Sequence, residues 1–332
     1  VIARLKVLAD LDIAERRLPQ DGRFSLRQGD QKIDLRAAVL PTVFGEKVVL
    51  RLLDPASMKT DLGQLGLAPG AIAQYREIFR RPYGTILVTG PTGSGKSTTL
   101  YATLEELNSP EKNIITVEDP VEYRMGGVNQ IHVNPKVGLT FASGLRSILR
   151  SDPDVVMIGE IRDRETARIS VEAALTGHLV LATLHTNNAP AAATRLIDIG
   201  VEPFLTASAV DCVIAQRLAR RLCERCKQPV EVGEDAMSAI GFPREYSSGE
   251  RAEFYEATGC DRCSGTGYRG RIGIYEMMVV TEGIRDLVLR RVPTDEIGRA
   301  AEEAGMVRLR EDGLAKAATG ITTIEEVLRT VV

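Results

Sequence analysis

The run Gly90-Pro91-Thr92-Gly93-Ser94-Gly95-Lys96-Ser97 meets every required position of the pattern G-x-x-x-x-G-K-[ST]. The apolar residues Thr85-Ile86-Leu87-Val88-Thr89 before it read as a buried strand, and Leu100, Leu104 and Leu107 after it fall at helical spacing. A strand, a glycine-rich turn and a helix in succession require an α/β fold. Gly90, Gly93 and Gly95 let the backbone curl, so that successive N–H groups and the helix N-terminus point at phosphate oxygens. Lys96 adds a charge near the β and γ phosphates of a nucleoside triphosphate, Ser97 is placed to ligate Mg²⁺, and Thr98 extends the phosphate-binding set. The alternative, a glycine-rich turn that matches by chance, sits poorly with the flanking strand and helix.

At 332 residues the chain exceeds the size at which one core keeps growing, so two or three domains are expected. Apolar content of 44% with 26% charged residues is ordinary for a globular protein. No stretch approaches the ~18 uninterrupted apolar residues of a membrane span, so any membrane role must be peripheral. A net charge of −3 gives no global reason to bind nucleic acid. Arg217, Arg220, Arg221, Arg225 and Lys227 form one local basic cluster, which reads as a solvated helix face. The chain opens inside an amphipathic pattern (Val1, Leu5, Leu8, with Arg4 and Lys6 between) without an initiator Met or a signal-peptide n-region, and is expected to be a fragment lacking its N-terminal part.

From 21 to 54 the pattern becomes short alternating runs at 23–27, 33–40 and 47–53, separated by Asp-Gly, Gln-Gly-Asp and Phe-Gly-Glu turns, which predicts a small antiparallel β unit. Residues 55–70 carry Pro55, Gly63, Gly66, Pro69 and Gly70 without periodicity and read as a linker. From 71 to 222, apolar strands at 86–88, 114–117, 155–158 and 179–184 alternate with helical stretches, the signature of a parallel sheet. Residues 223–270 are assigned to a cysteine-bearing lobe, and 271–332 to a helical region in which Thr322 and Glu325 are spaced as a capping box.

Asp154-Val-Val-Met-Ile-Gly-Glu160 is an apolar strand ending in a carboxylate, where a P-loop enzyme places the acid that holds the Mg²⁺ water shell opposite Ser97. Glu160 is that candidate. A second strand, 113–117, runs into Glu118-Asp119-Pro120-Val121-Glu122 and supplies three more carboxylates at a strand's C-terminal edge. One of them is a candidate to polarise an attacking water, and the others solvate the loop or cap the turn around Pro120. His178 and His185 stand at the two ends of a third strand, too far apart to share one metal easily. His185, at the C-terminal end, suits a hydrogen bond toward the γ-phosphate, whereas His178 at the opposite end reads equally as a structural histidine.

Cys223-Glu-Arg-Cys226 and Cys260-Asp-Arg-Cys263 are two C-x-x-C pairs, each able to place two thiolates on one tetrahedral ion, and together predict a structural Zn²⁺. The 33 residues between the pairs exceed short ribbon spacing, so the pairs are expected to cap a small lobe. Two disulfides fit poorly with a cytosolic nucleotide enzyme, and redox chemistry of one pair is the minor alternative. Cys260–Gly267 also reads C-x-x-C-x-G-x-G, a zinc-knuckle pattern known from co-chaperones, which carry several copies where this chain has one. Cys212 is unpaired and reads as a small buried hydrophobe.

The blocks GPTGSGKSTTLYATLEELN, NIITVEDPVEY, LRSILRSDPDVVMIGEIRDRETA and TGHLVLATLHTN together resemble the secretion-superfamily ATPases of type II secretion and type IV pilus assembly, across essentially the whole chain. Retraction members share the core blocks but lack the C-x-x-C pairs, so the tetracysteine lobe points to the GspE/PilB-like assembly and secretion branch. The resemblance implies an α/β fold: a RecA-like P-loop NTPase core with an N-terminal small α+β (PAS-like) domain over residues 1–54, a zinc lobe and a helical C-terminal region. It assigns Lys96 and Ser97 to phosphate and Mg²⁺, Glu160 to the Walker B acid, Glu122 to the catalytic glutamate, and His178 with His185 to a histidine box. It also implies that Arg36 and Arg51, with Arg146 and Arg150, reach toward nucleotide phosphates; spacing alone would leave all four as solvated or ion-paired arginines. A basic donor carried on a separate rigid body would stabilise transition-state charge only when that body closes over the nucleotide.

The resemblance further implies ATP as substrate, Mg²⁺ and Zn²⁺ as metals, and a hexameric ring at the inner face of the cytoplasmic membrane. In that ring the N-terminal domain rotates against the core to drive an inner-membrane platform protein that assembles pilin or pseudopilin subunits. The first strands of the N-terminal domain and the preceding membrane-docking domain are expected to lie outside this chain. Two other classes are weighed. A nucleic-acid translocase would show a basic stripe and stacking aromatics, whereas this chain is acidic with 5% aromatic residues and no Trp. A non-catalytic nucleotide-binding scaffold fits poorly with a complete set of acids.

Overall fold

The computed structural model describes residues 1–29, 31–53, 61–242 and 252–331. They form two compact units, Val1–Thr60 with Glu122–Arg124, and Asp61–Val121 with Met125–Val332.

The smaller unit is a helix α1 (Ile2–Leu8) and an antiparallel sheet of β1 (Gln20–Gln28), β2 (Gln31–Thr42) and β3 (Gly45–Leu53), with β2 central. Alternation places Phe24, Leu35 and Ala37 on one face, where Leu5 and Leu8 of α1 and the following Ala9 and Leu11 cover them. Lys6 is buried and donates to the carbonyl of Glu15 at 2.7 Å, while pairing with Glu46. The Asp-Gly pair expected to form a turn lies inside β1 instead. A Cβ on Gly22 would stand 2.3 Å from the Ala9 carbonyl oxygen, so that glycine serves the close approach of α1 to the strand.

The larger unit is built on a seven-stranded sheet of order β12-β9-β4-β8-β7-β5-β6. Its strands are β4 (Gly84–Thr89), β5 (Ile114–Glu118), β6 (Asn129–His132), β7 (Val155–Ile158), β8 (Leu179–Leu184), β9 (Val210–Leu222) and β12 (Tyr268–Val279). All neighbours run parallel except the edge strand β12, which is antiparallel to β9. Every residue of β4 and β8 is buried, as expected of a parallel sheet covered on both faces. The covering helices are α2 (Pro69–Phe79), α3 (Lys96–Leu107), α4 (Phe141–Ile148), α5 (Arg164–Leu175), α6 (Pro190–Ile199) and α7 (Pro203–Ala209). Between β9 and β12 come β10 (Lys227–Val230), α8 (Glu234–Ala239) and β11 (Phe254–Ala257), with β10 and β11 paired as a two-stranded ribbon.

Three expectations change. Of the linker assigned to 55–70, residues 55–60 lie outside the described residues, but 61–70 belong to the larger unit: Leu62 and Leu67 are buried, and Leu65 accepts from the Gly273 amide at 3.0 Å. An absence of periodicity there reflected short packed turns rather than a tether. The region 271–332 is only partly helical, because most of β12 lies in it ahead of α9 (Glu282–Leu289), α10 (Thr294–Glu303), α11 (Leu309–Ala318) and α12 (Ile324–Thr330). The cap of α12 is Thr323, which accepts from the Glu326 amide, one position later than the Thr322–Glu325 pair predicted. Among the described residues, no helix is long and apolar enough to cross a membrane.

Candidate functional site

The P-loop leaves the C-terminal end of β4 and enters α3. Gly90 has φ +147°, and a Cβ there would lie 2.5 Å from the Gln216 carbonyl oxygen and 2.6 Å from Ser94 Oγ, so no other residue fits the turn. Lys96 Nζ donates to the carbonyls of Gly90 at 2.8 Å and Pro91 at 3.1 Å, which holds the ammonium inside the loop. Burial lowers its pKa, opposed by the nearby Glu160 carboxylate and reinforced by Arg217. Ser94 Oγ is buried with no hydrogen-bond partner among the described residues, an orphaned donor of the kind a phosphate oxygen satisfies.

Strand ends are laced together around this loop. Thr89 Oγ1 lies 2.7 Å from Thr186 Oγ1 and accepts from the Thr186 amide at 2.7 Å, while Thr183 Oγ1 donates to the Gly159 carbonyl at 2.6 Å. These bonds bring the ends of β4, β8 and β7 to one edge, where ligands bind in open α/β sheets. Glu160 and His185 meet there, with His185 Nε2 3.0 Å from Glu160 Oε1 and Arg162 Nη2 donating to Oε2 at 2.6 Å. Burial pushes the Glu160 pKa up, but Arg162, His185 and Lys96 outweigh it and the net shift is downward, keeping the carboxylate ionised. The hydroxyl of Ser97, exposed at the start of α3, and this ionised acid are hard oxygen donors of the type Mg²⁺ takes.

Other candidates separate. Glu118 is buried and spoken for, accepting from Tyr101, from Thr116 Oγ1 at 2.5 Å and from Gln130 Nε2 at 3.2 Å, so it is neither loop-solvating nor a turn cap. Glu122 belongs with Tyr123 and Arg124 to the smaller unit. Arg146 pairs with Glu165, and Arg150 is exposed just past α4. The two histidines expected to form a histidine box lie apart in this chain. β4 and β8 pair from Gly84↔Leu179 to Thr89↔Leu184, so His178 lies a strand length away, roughly 20 Å at ~3.3 Å per residue. Its Nδ1 sits 2.9 Å from the Ala173 carbonyl, closing the turn after α5.

In the smaller unit, Arg36 stands directly opposite Arg51 across β2 and β3, and opposite Arg23 across β1 and β2. Like charges in cross-strand register repel, so this row of guanidiniums favours an anion; Asp21 lies 3.8 Å from Arg36. Sequence reasoning missed Arg23, which the alternation of β1 could have put in that row. It also missed Gln216, a nearly fully buried amide on β9 that donates to the Ser94 carbonyl at 2.7 Å and accepts from Thr99 Oγ1 at 2.8 Å. A lone Gln inside the apolar run 212–216 was the available signal, since a buried amide must find partners.

The basic cluster is on β9, the turn after it and the first residue of β10, not on a helix. Arg220 docks on Glu326, and Arg221 and Lys227 both face Glu224. The Sγ atoms of Cys223, Cys226, Cys260 and Cys263 all lie within 4.8 Å of one another, and the 223–260, 226–263 and 260–263 separations are 3.9, 3.8 and 3.8 Å. Zn–S bonds of ~2.3 Å at a tetrahedral angle put sulfurs about 3.8 Å apart, so the quartet fits Zn²⁺. Burial opposes ionisation of Cys263, but the amides of Cys260 and Gly267 donate to its sulfur and bring its pKa down to about 6. Cys212 is fully buried, its thiol pushed up by desolvation, as expected of a packing residue.

The family model "Type II/IV secretion system protein" matches residues 1–329. A type IV pilus assembly ATPase PilB of Thermus thermophilus is 52% identical over 99% of this chain and 37% of its own length. The type II secretion system ATPase E of Vibrio cholerae is 51% identical over 99% of this chain and 64% of its own. The chain therefore spans less than two thirds of either relative. The crystal structure of the pilus retraction motor PilT with bound ADP superposes with a TM-score of 0.68 at 28% identity, covering 94% of this chain and 77% of that one. The ATPase DotB of Yersinia pseudotuberculosis shares the fold at a TM-score of 0.70 and 22% identity, over 99% of this chain and 81% of that one.

Proposed function

Because this chain belongs to the type II/IV secretion system protein family, we propose that it is the motor portion of an ATPase that powers pilus assembly or type II secretion. The observation that carries the reading is the gathering of Lys96, Glu160 and His185 at the P-loop edge of the sheet, beside the orphaned Ser94 hydroxyl. The P-loop amides and Lys96 hold the ATP phosphates. Ser97 and Glu160 would hold Mg²⁺, which would supply positive charge to offset that of the transferred phosphoryl group. His185 orients Glu160. Glu122 accepts the proton of the attacking water, and Arg36 with Arg51, on the smaller unit, neutralises charge that develops in the transition state. The Cys quartet holds a structural Zn²⁺.

The working form is a homo-hexamer in the cytoplasm at the inner face of the membrane, contacting it through platform and membrane-anchored partner proteins. Steady-state ATPase and ATP binding, with and without single-stranded DNA, test the reading. Lys96→Ala should lose both turnover and affinity. Glu122→Gln should lose turnover alone, and Arg36→Ala or Arg51→Ala should lower kcat by more than ~10-fold with little change in affinity. Stimulation by DNA would move the chain to the translocases, and absence of any turnover in assembled protein would make it a scaffold.

A further inference from the structure

The loop that carries His185 runs from the end of β8 to the start of α6, and it is tied down one strand at a time. Thr186 is bonded to Thr89 of β4 through both its amide and its hydroxyl, at 2.7 Å each. The Asn187 carbonyl accepts from Arg217 Nη2 of β9 at 2.8 Å. The Ala189 amide donates to Glu276 Oε1 of β12 at 2.7 Å. These strands stand in that order from β8 outward, with Thr89, Ala215 and Glu276 opposite one another across them. The loop therefore crosses the edge of the sheet, and Glu276 is its far anchor.

Glu276 is buried, and its other oxygen accepts from the Leu309 amide at 3.4 Å, where α11 begins. One carboxylate thus gathers the starts of α6 and α11, helix ends whose amides favour a negative charge. Burial raises the Glu276 pKa against the pull of the Ala189 and Leu309 amides and of Arg308. A buried carboxylate is costly unless its acceptors are used, so this side chain is an anchor rather than packing. His185 is exposed, and packing does not fix it. Resting on the reading above that His185 orients Glu160, we propose that Glu276 is a positioning residue for ATP hydrolysis, holding the 185–189 loop from the far side of the sheet so that His185 stays on Glu160.

Amide hydrogen exchange of the whole chain without nucleotide, with steady-state ATPase and ATP affinity beside it, tests the assignment. Glu276→Asp keeps the charge but draws it back by one methylene, which breaks the bond to Ala189. Glu276→Gln keeps the reach and one carbonyl acceptor. In the Asp variant, exchange over 186–189 should be at least ~10-fold faster, with β4 and α3 unchanged. Its kcat should fall roughly 10- to 100-fold, the cost of misplacing a group at the site, with ATP affinity within about 3-fold. The Gln variant should stay within about 3-fold of wild type in each measure. On a His185→Ala background the Asp substitution should cost less than about 2-fold more, because it acts through a side chain already gone. Unchanged exchange at 186–189, faster exchange throughout the chain, wild-type kcat in the Asp variant, a Gln variant as slow as the Asp one, or full additivity with His185→Ala each overturns the proposal. His185→Ala alone is the control for the parent reading: if it leaves kcat unchanged, His185 has no part in turnover, and that reading fails even where exchange shows Glu276 anchoring the loop.

Discussion

The P-loop edge of the parallel sheet and the tetracysteine lobe are the two places to which we assign ligands, and they are held together in opposite ways. At the P-loop, conformation is secured by the protein: a buried strand, a glycine that no side chain could replace, threonine links between strand ends, and Gln216 bridging the loop to α3. In the lobe, the described secondary structure is the short helix α8, a ribbon of two four-residue strands and a single turn of 3-10 helix at Asp261–Cys263. Two-stranded ribbons are marginal in water. On the zinc reading proposed above, four sulfurs at tetrahedral spacing would do there what core packing does at the loop, so that one site precedes its ligand while the other is completed by it.

Removing the metal should break the comparison most visibly. Purified chain should carry about one Zn²⁺ per protomer, and Cys260→Ser or chelation should release it and unfold the lobe, since structural zinc contributes on the order of 10 kcal/mol to folding. Tripolyphosphate binding at the P-loop should stay within about 3-fold. Elemental analysis without zinc, or loss of tripolyphosphate binding on chelation, would erase the distinction.

A smaller effect is expected from Gln216→Leu, which leaves the Ser94 carbonyl and the Thr99 hydroxyl without their buried partner. At about 1 kcal/mol for each of the two bonds, affinity for ATP and tripolyphosphate should fall by up to roughly 30-fold while zinc content is unchanged. An unaltered affinity would mean that the glycines alone shape the loop.

The smallest effect concerns the seam between the two regions, where Glu326 joins Arg220 and Arg329. Burial opposes its ionisation, but the paired guanidiniums, Arg329 and then Arg220, bring its pKa down from 4.5 to about 2. The unfolded chain takes up that proton first as pH falls, so the stabilisation is whole above about pH 4.5 and is lost on the way down to about 2. Glu326→Gln should lower Tm by a few degrees at pH 7, with the gap from wild type closing as pH falls from about 4.5 to about 2. A gap that stays constant over that range would show that the carboxylate's charge is not what holds the seam.

Much of this molecule was legible in the chain. The P-loop, the strand that ends in Glu160, the alternation of β1 to β3 and the two C-x-x-C pairs are contiguous patterns in which backbone geometry or ligand chemistry dictates residue type. What misled was short or doubly used structure. A glycine needed for helix–strand contact at Gly22 looked like a turn, packed turns at 61–68 looked like a linker, and a basic run on β9 looked like a helix face.

Sequence by itself determined the parallel α/β class, the glycine-rich loop between β4 and α3 and the two C-x-x-C pairs, because each is encoded by neighbours along the chain. Only the tertiary structure decided which distant residues complete them. It set His185 rather than His178 beside Glu160, because parallel register sends the two ends of β8 to opposite edges of the sheet. It also brought Gln216 and Arg217 on β9, and Arg329 on α12, to the P-loop. That follows from β9 pairing with β4 across more than a hundred residues of chain, a neighbourhood fixed by burial of the whole sheet and by no local pattern.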